Sequence, residues 1–266
     1  MIEIVFLGTG GAFSTKRRSN TALLIEAPDF RMLLEAGPTV VQQLIRAGLH
    51  PRDIEYLFVS HPHGDHTLGF PMLILNRLDA GGRLQIYSAP DSIATLKMLW
   101  TLAYADFDSN YLKSDWHQLS DRGLDEVELA PGVTLCTAVV PYPPGALTLA
   151  GRWDFKDGPS IAFATDTIPN AATIQLARDC DLLIHESSYS AVLQPDADAS
   201  MHFHSTARQA GEVARQAGCR RLALIHLGVQ VGEHPDVLVE EARADTDLEV
   251  IVPEDGERVR VSAAES

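Results

Sequence analysis

The run His61-Pro62-His63-Gly64-Asp65-His66 limits this chain more than any other feature, because three imidazoles and a carboxylate fall within six positions. It follows an apolar stretch, Tyr56 to Val59, that reads as a buried strand, and precedes a helical run beginning near Thr67. Side chains set at a strand end enter one cleft with those of neighbouring strand ends. Nitrogen and oxygen donors in this number suit a borderline cation such as Zn2+. With 10 His in 266 residues, such spacing arises by chance in on the order of one chain in a thousand. A metal site is therefore a better reading than a His-rich surface loop.

The chain around this run is organised as strands and helices in alternation. Short apolar β-rich runs, Ile2 to Leu7, Thr21 to Glu26 and Met32 to Leu34, are broken by Gly8-Thr9-Gly10-Gly11 and Pro28-Asp29, which predicts an antiparallel meander. Pro38 then opens a helical pattern with Val41, Leu44 and Ile45. Further strands are predicted at Leu84 to Tyr87, Val133 to Val140, Ser160 to Ala164, Leu182 to Ile184, Leu222 to Ile225 and Val250 to Val252, with helices at 91–103, 205–217 and 235–243. Such a chain is expected to form mixed sheets with helices packed outside, an α/β (α+β) architecture in one domain, 1–266. Pro141 to Trp153 reads as a loop, either a lid over the cleft or an interface, and Asp115-Trp116-His117 as a surface turn.

Composition excludes several alternatives. The three cysteines, Cys136, Cys180 and Cys219, have no CxxC spacing, so neither a disulfide framework nor a thiolate cluster is expected. No stretch reaches the about 18 apolar residues of a membrane span, and the first residues lack a basic leader, so a cytoplasmic location without membrane contact is expected. The Gly8 to Gly11 run lacks GxGxxG spacing or a following Lys-Ser/Thr and reads as a tight turn near the site rather than a phosphate cradle. A formal charge of −15, from 36 acidic and 21 basic residues, repels polyanions, because phosphate binding relies on Lys and Arg. This disfavours large nucleic acid and favours a small-molecule partner.

The six-residue run resembles the H-x-H-x-D-H signature of metallo-β-lactamase-fold hydrolases, and other landmarks follow in the order of that family. Glu35-Ala36-Gly37 stands where the family has Asp-x-Gly, Thr165-Asp166-Thr167 follows a strand where it keeps a bridging aspartate, and His226 follows the strand Leu222 to Ile225. Phe6-Leu7-Gly8-Thr9-Gly10, Asp181-Leu182-Leu183-Ile184-His185-Glu186 and His204-Ser205-Thr206 resemble the ribonuclease Z branch. The resemblance implies an αββα sandwich, two mixed β-sheets flanked by helices. It implies one or two Zn2+ per chain, with Mn2+ or Fe2+ as alternatives. His61 and His63 would hold one ion, Asp65, His66 and His226 the other, and Asp166 the bridge between them. A cation pair lowers the pKa of a shared water and supplies hydroxide near neutral pH. Asp65 and His204 are the implied catalytic residues, His204 as general acid, and a homodimer is implied by the branch.

The chain departs from the pattern at Tyr142. It stands in the loop after Val133 to Val140, where members with two full metal sites carry another histidine, and neutral phenol is a weaker donor than imidazole. The first site is thus expected to be the weaker. His117 is a distant substitute, and His202 a second imidazole near His204. Glu35 would orient a ligand from behind, and Glu186 has either that role or a structural one. The functional expectation is a metal-dependent phosphodiesterase acting on a small-molecule ester, phosphodiester first, since the chain also lacks a long basic Gly/Pro-containing arm between residues 70 and 130. Its alternatives are a hydrolase of carboxylic ester, lactone, β-lactam or aryl sulfate, a tRNA 3′ endonuclease, or a degenerate metal-binding protein.

Overall fold

The computed structural model describes residues 1–105, 111–142, 147–244 and 246–263. Its first sheet is built from β1 (Ile2–Gly8), β2 (Ala22–Ala27), β3 (Phe30–Leu34), β4 (Tyr56–Val59), β5 (Leu84–Ser88) and β6 (Ser114–Gln118). The second contains β7 (Asp125–Ala130), β8 (Val133–Val140), β9 (Thr148–Phe155), β10 (Ser160–Ala164), β11 (Leu182–Glu186), β12 (Arg221–Ile225) and β13 (Glu249–Ile251). The last strand, β14 (Glu257–Val261), returns to the first sheet beside β1, so each sheet has seven strands, in the orders β14-β1-β2-β3-β4-β5-β6 and β13-β12-β11-β10-β9-β8-β7. Pairing is antiparallel through β1, β2 and β3 and parallel from β3 to β6. In the second sheet β7 to β10 are antiparallel and β10 to β13 parallel.

Side-chain alternation explains the layering. In β1, Ile4 and Phe6 face the second sheet while Val5 and Leu7 face outward, and in β10 Ile161 and Phe163 face inward while Ala162 faces outward. Because both faces are covered, these strands read as continuous apolar runs rather than as alternating ones. Trp153 fills the centre of the sandwich, edge-on to Phe58 at 5.4 Å. Outside the first sheet lie α1 (Val40–Arg46), α2 (Gly64–Thr67), α3 (Phe70–Leu75) and α4 (Pro90–Ala103), and outside the second α5 (Ala171–Leu176), α6 (Ala207–Ala217) and α7 (Pro235–Arg243). The result is the expected αββα sandwich.

Two local expectations are corrected. His117 lies within the edge strand β6, where its ring stacks on Tyr87 at 4.4 Å and bonds Gln85 Oε1 at 2.7 Å. The stretch predicted as a loop from Pro141 to Trp153 contains the first part of β9, paired along its whole length with β8. Residues 143–146 of it fall outside the described residues. The strand was hidden by Gly151 and Arg152, which break the apolar run.

Parallel pairing sends the carboxyl ends of β4, β10, β11 and β12 to one rim of the sandwich. In doubly covered sheets this is the side where ligand-binding groups gather. The segments leaving these four strands carry His61, Asp166, Glu186 and His226.

Candidate metal centre

The six residues expected to hold cations meet at this rim. Ligand atoms of Asp65, His66, Asp166 and His226 lie within 4.8 Å of one another, as do those of His61, His63 and Asp166. Asp166 belongs to both sets. Its Oδ1 is 3.4 Å from His66 Nε2 and 3.1 Å from His226 Nε2, while its Oδ2 faces His61 Nε2 at 3.6 Å. Asp65 Oδ2 is 3.2 Å from His66 Nε2 and 3.4 Å from His226 Nε2.

Local folding makes this convergence possible. Glu35, Asp166 and His226, each within two residues of a strand end, all have left-handed backbone, with φ of 68°, 50° and 54°. Gly11 abuts His226 so closely that an added Cβ would lie 3.1 Å from the imidazole, and its N–H bonds Leu227 O at 3.0 Å. The glycine run lies against the site, but as an extended continuation of β1 rather than the expected turn: Gly10 bridges Asn20 and Leu227. Behind the ligands, the Ser60 hydroxyl is 2.9 Å from His61 Nδ1, so the Nε2 atom faces the centre. Glu35 Oε2 lies 3.4 Å from His66 Nδ1, and the same carboxylate accepts Ser60 N–H at 3.1 Å. Ser188 Oγ stands 3.0 Å from His226 Nδ1 and leaves Nε2 toward the two aspartates.

The electrostatics are those of tightly clustered buried imidazoles and carboxylates. Burial and the neighbouring His66 push the His61 imidazole well below its ordinary pKa. For His66 burial acts downward too, but the charges of Asp166 and Glu35 overcome it and raise the value well above normal. Burial would raise both aspartates; the imidazoles outweigh it and hold Asp65 and Asp166 far below the usual carboxylate range. The buried nitrogens His61 Nε2 and His66 Nε2 have no hydrogen-bond partner. A cation bound at about 2.1 Å in tetrahedral geometry sets its donors about 3.4 Å apart, which matches the separations around Asp65, His66, Asp166 and His226. The donor set fits a metal ion.

Beside the donors stands His204, and its partner is Glu186, a residue with no clear role in the sequence. Glu186 is fully buried; its Oε1 is 3.0 Å from His204 Nδ1 and accepts Thr167 N–H at 3.0 Å, and its Oε2 accepts the hydroxyl and N–H of Ser188. Burial lowers the His204 pKa, but the Glu186 hydrogen bond and charge prevail and raise it to about 9. The His204 ring stacks on His226 at 5.5 Å. His202 does not join it: the residue is exposed and lies on Tyr189. Tyr142 does reach the site, with its hydroxyl 3.1 Å from both His63 Nδ1 and Asp166 Oδ2.

The comparisons agree with this geometry. The family model described as Anti-Pycsar protein Apyc1 matches residues 2–202. A ribonuclease Z from Haloferax volcanii is 30% identical over 321 residues, covering 100% of this chain and 96% of that relative. Among solved structures, the metallo-β-lactamase fold protein YhfI from Bacillus subtilis has a TM-score of 0.80 at 21% identity, covering 97% of this chain and 98% of its own. Human tRNase Z, short form, has a TM-score of 0.79 at 19% identity, covering 97% of this chain and 99% of its own. Both share the fold.

The expectation that net charge disfavours large nucleic acid is overturned by these relatives, since full-length matches carry the ribonuclease Z name. The physical reason is that net charge sums the whole surface, whereas recognition depends on local potential. Lys16, Arg17 and Arg46 line one cleft of about 510 Å³ on the loop that brings Gly11 to His226. No helix among the described residues is long and apolar enough to cross a membrane. By its family match, its full-length relative and its donor-lined rim, the chain belongs to the family of the Anti-Pycsar protein Apyc1, among the ribonuclease Z-like metal-dependent hydrolases of the metallo-β-lactamase fold.

Proposed function

We propose that this hydrolase is a phosphodiesterase in which His204 protonates the leaving oxygen. The observation that carries the reading is the Glu186–His204 pair at 3.0 Å beside the two donor sets. Glu186 takes up Nδ1, so the other imidazole nitrogen is the one that meets the substrate. Ser188 Oγ lies 2.9 Å from Glu186 Oε2 and 3.0 Å from His226 Nδ1, coupling the proton donor to the ligands. Cations held by His61, His63, Asp65, His66, Asp166 and His226 would supply an acidified water and neutralise phosphate charge. Asp65 and Asp166 stay ionised for that purpose.

The relatives named ribonuclease Z support an RNA substrate, tRNA 3′ ends included, as strongly as a small diester. Zn2+ as the ion, residues 1–266 as one domain, a homodimer and a cytoplasmic location belong to the same proposal. The test compares wild type and H204A on an alkyl phosphodiester, on a nitrophenyl phosphodiester and on a tRNA precursor with a 3′ trailer. A general acid contributes about 10²–10⁴-fold where the leaving group is poor, so H204A should lose that factor on the alkyl diester and on RNA but far less on the nitrophenyl diester. Equal losses on all three substrates, or hydrolysis of carboxylic esters alone, would refute the proposal.

A further inference from the structure

We infer that the Tyr142 hydroxyl is the fourth donor of the first cation site, completing the set His61, His63 and Asp166; the inference rests on the metal-dependent reading just proposed. Three observations carry it. First, His61 Nε2 is buried without a hydrogen-bond partner, while its Nδ1 is occupied by Ser60. An arrangement in which Tyr142 merely bonded its neighbours and displaced the ion would leave that nitrogen bare, which is costly inside a protein.

Second, Tyr142 Oη stands 3.1 Å from His63 Nδ1 and 3.1 Å from Asp166 Oδ2. These are the edge lengths seen around the other set, where donors are 3.1 to 3.4 Å apart. Third, the phenol is held in place by the same set, its ring lying edge-on to His61 at 5.0 Å and to His63 at 5.2 Å. Backbone support comes from β8 behind it and from Thr167 Oγ1, which donates to Pro141 O at 3.2 Å.

The two sites then have matching composition. Each has two imidazoles, one oxygen of Asp166, and one oxygen donor of its own, Asp65 for one and Tyr142 for the other. Replacing a third imidazole by an oxygen moves the first site toward harder cations such as Mn2+. Binding releases the phenol proton to solvent, as for any ligand that must ionise.

Metal uptake, not turnover, is the test. The full chain is stripped with chelator, loaded with Zn2+, freed of excess by gel filtration, and analysed for metal per chain and for the ultraviolet difference spectrum of phenolate. Wild type should hold two equivalents and show the phenolate band. Y142F should hold one without the band, and Y142H two without it. Two equivalents with no band in wild type, one equivalent in wild type, or two in Y142F would overturn the role of Tyr142. The wild-type band alone decides the matter should a variant fail to fold. No metal in wild type would overturn the metal-dependent reading as well.

Discussion

Replacing Glu186 by Gln removes the charge that keeps His204 protonated and leaves an amide in nearly the same volume. With Glu186 present the His204 pKa stands at about 9. Without the carboxylate, the imidazole returns toward its ordinary value of about 6.5, or below it because burial acts in that direction. At pH 8 the protonated fraction then falls from ~90% to ~3%, a loss of about 30-fold in proton-donor population; at pH 6 the two differ by less than about 1.5-fold. The sign is fixed: a general acid works while protonated, so activity is lost as pH rises through its pKa, and E186Q moves that loss to lower pH. Bound cations lower both profiles together, so the separation between the two profiles is the quantity read. The assay is kcat/KM for an alkyl phosphodiester from pH 5.5 to 9.5, a span chosen to bracket the roughly 6.5 reference value, with the metal content of each sample measured. A loss of equal size across the range would show that Glu186 supports the fold or the ligands rather than the proton donor. An unchanged profile would refute the pairing altogether.

Other outcomes follow from the same geometry. Removing His204 as H204A should leave metal content unchanged while reducing alkyl-diester cleavage about 10²–10⁴-fold, checked by elemental analysis beside kinetics. Loading apo-Y142F at pH 7, where residue 142 has no proton to give, should still release a proton from His66, whose pKa the surrounding carboxylates hold well above normal against burial; calorimetry in buffers of different ionisation enthalpy measures it, and zero release contradicts that reading. Gly211→Ala would place a Cβ 1.9 Å from Ala242 O, where α6 meets α7. Overpacking of this kind costs about 1–3 kcal/mol or more, visible as a lowered Tm. Thr206 caps α6 reciprocally with Gln209, so T206A should cost about 1 kcal/mol in denaturant unfolding.

Interior strands other than β9 were legible as apolar runs: β4, β8 and β10 begin and end where those runs do. The edges were not. β6 reads Ser-Asp-Trp-His-Gln, β7 alternates acidic residues with Val and Leu, and β14 alternates Arg with Val. Edge strands carry charge to prevent further pairing, and that erases the apolar run by which a strand is recognised. The site divides in the same way. His61, His63, Asp65 and His66 are close in sequence, and Asp166 and His226 follow recognisable strands. Glu186 ends β11 as many capping carboxylates end strands, and only the position of His204, 18 residues later, gives it a role. The misjudged charge argument has a related cause, since a sequence lists charges without their placement.

The left-handed backbone at Glu35, Asp166 and His226 explains why the ligand rim belongs to the folded sandwich rather than to any local motif. A strand ending in extended geometry would carry the next side chain along its own pleat, into a sheet face. A residue with positive φ reverses the chain at that point and turns the side chain across the gap between the sheets. For a residue with a Cβ this conformation costs about 1–2 kcal/mol, and it persists only where surrounding contacts determine it. Such contacts are present: Glu35 N–H donates to Phe58 O at 2.9 Å, Thr165 Oγ1 donates to Asp166 Oδ1 at 2.7 Å, and the N–H of Leu227, next to His226, donates to Thr9 O at 3.1 Å. Each ties a strained position to an element that the sandwich itself holds. The fold of the sandwich thus sets the donors at near-ligating separations, which no local stretch of the chain would do by itself.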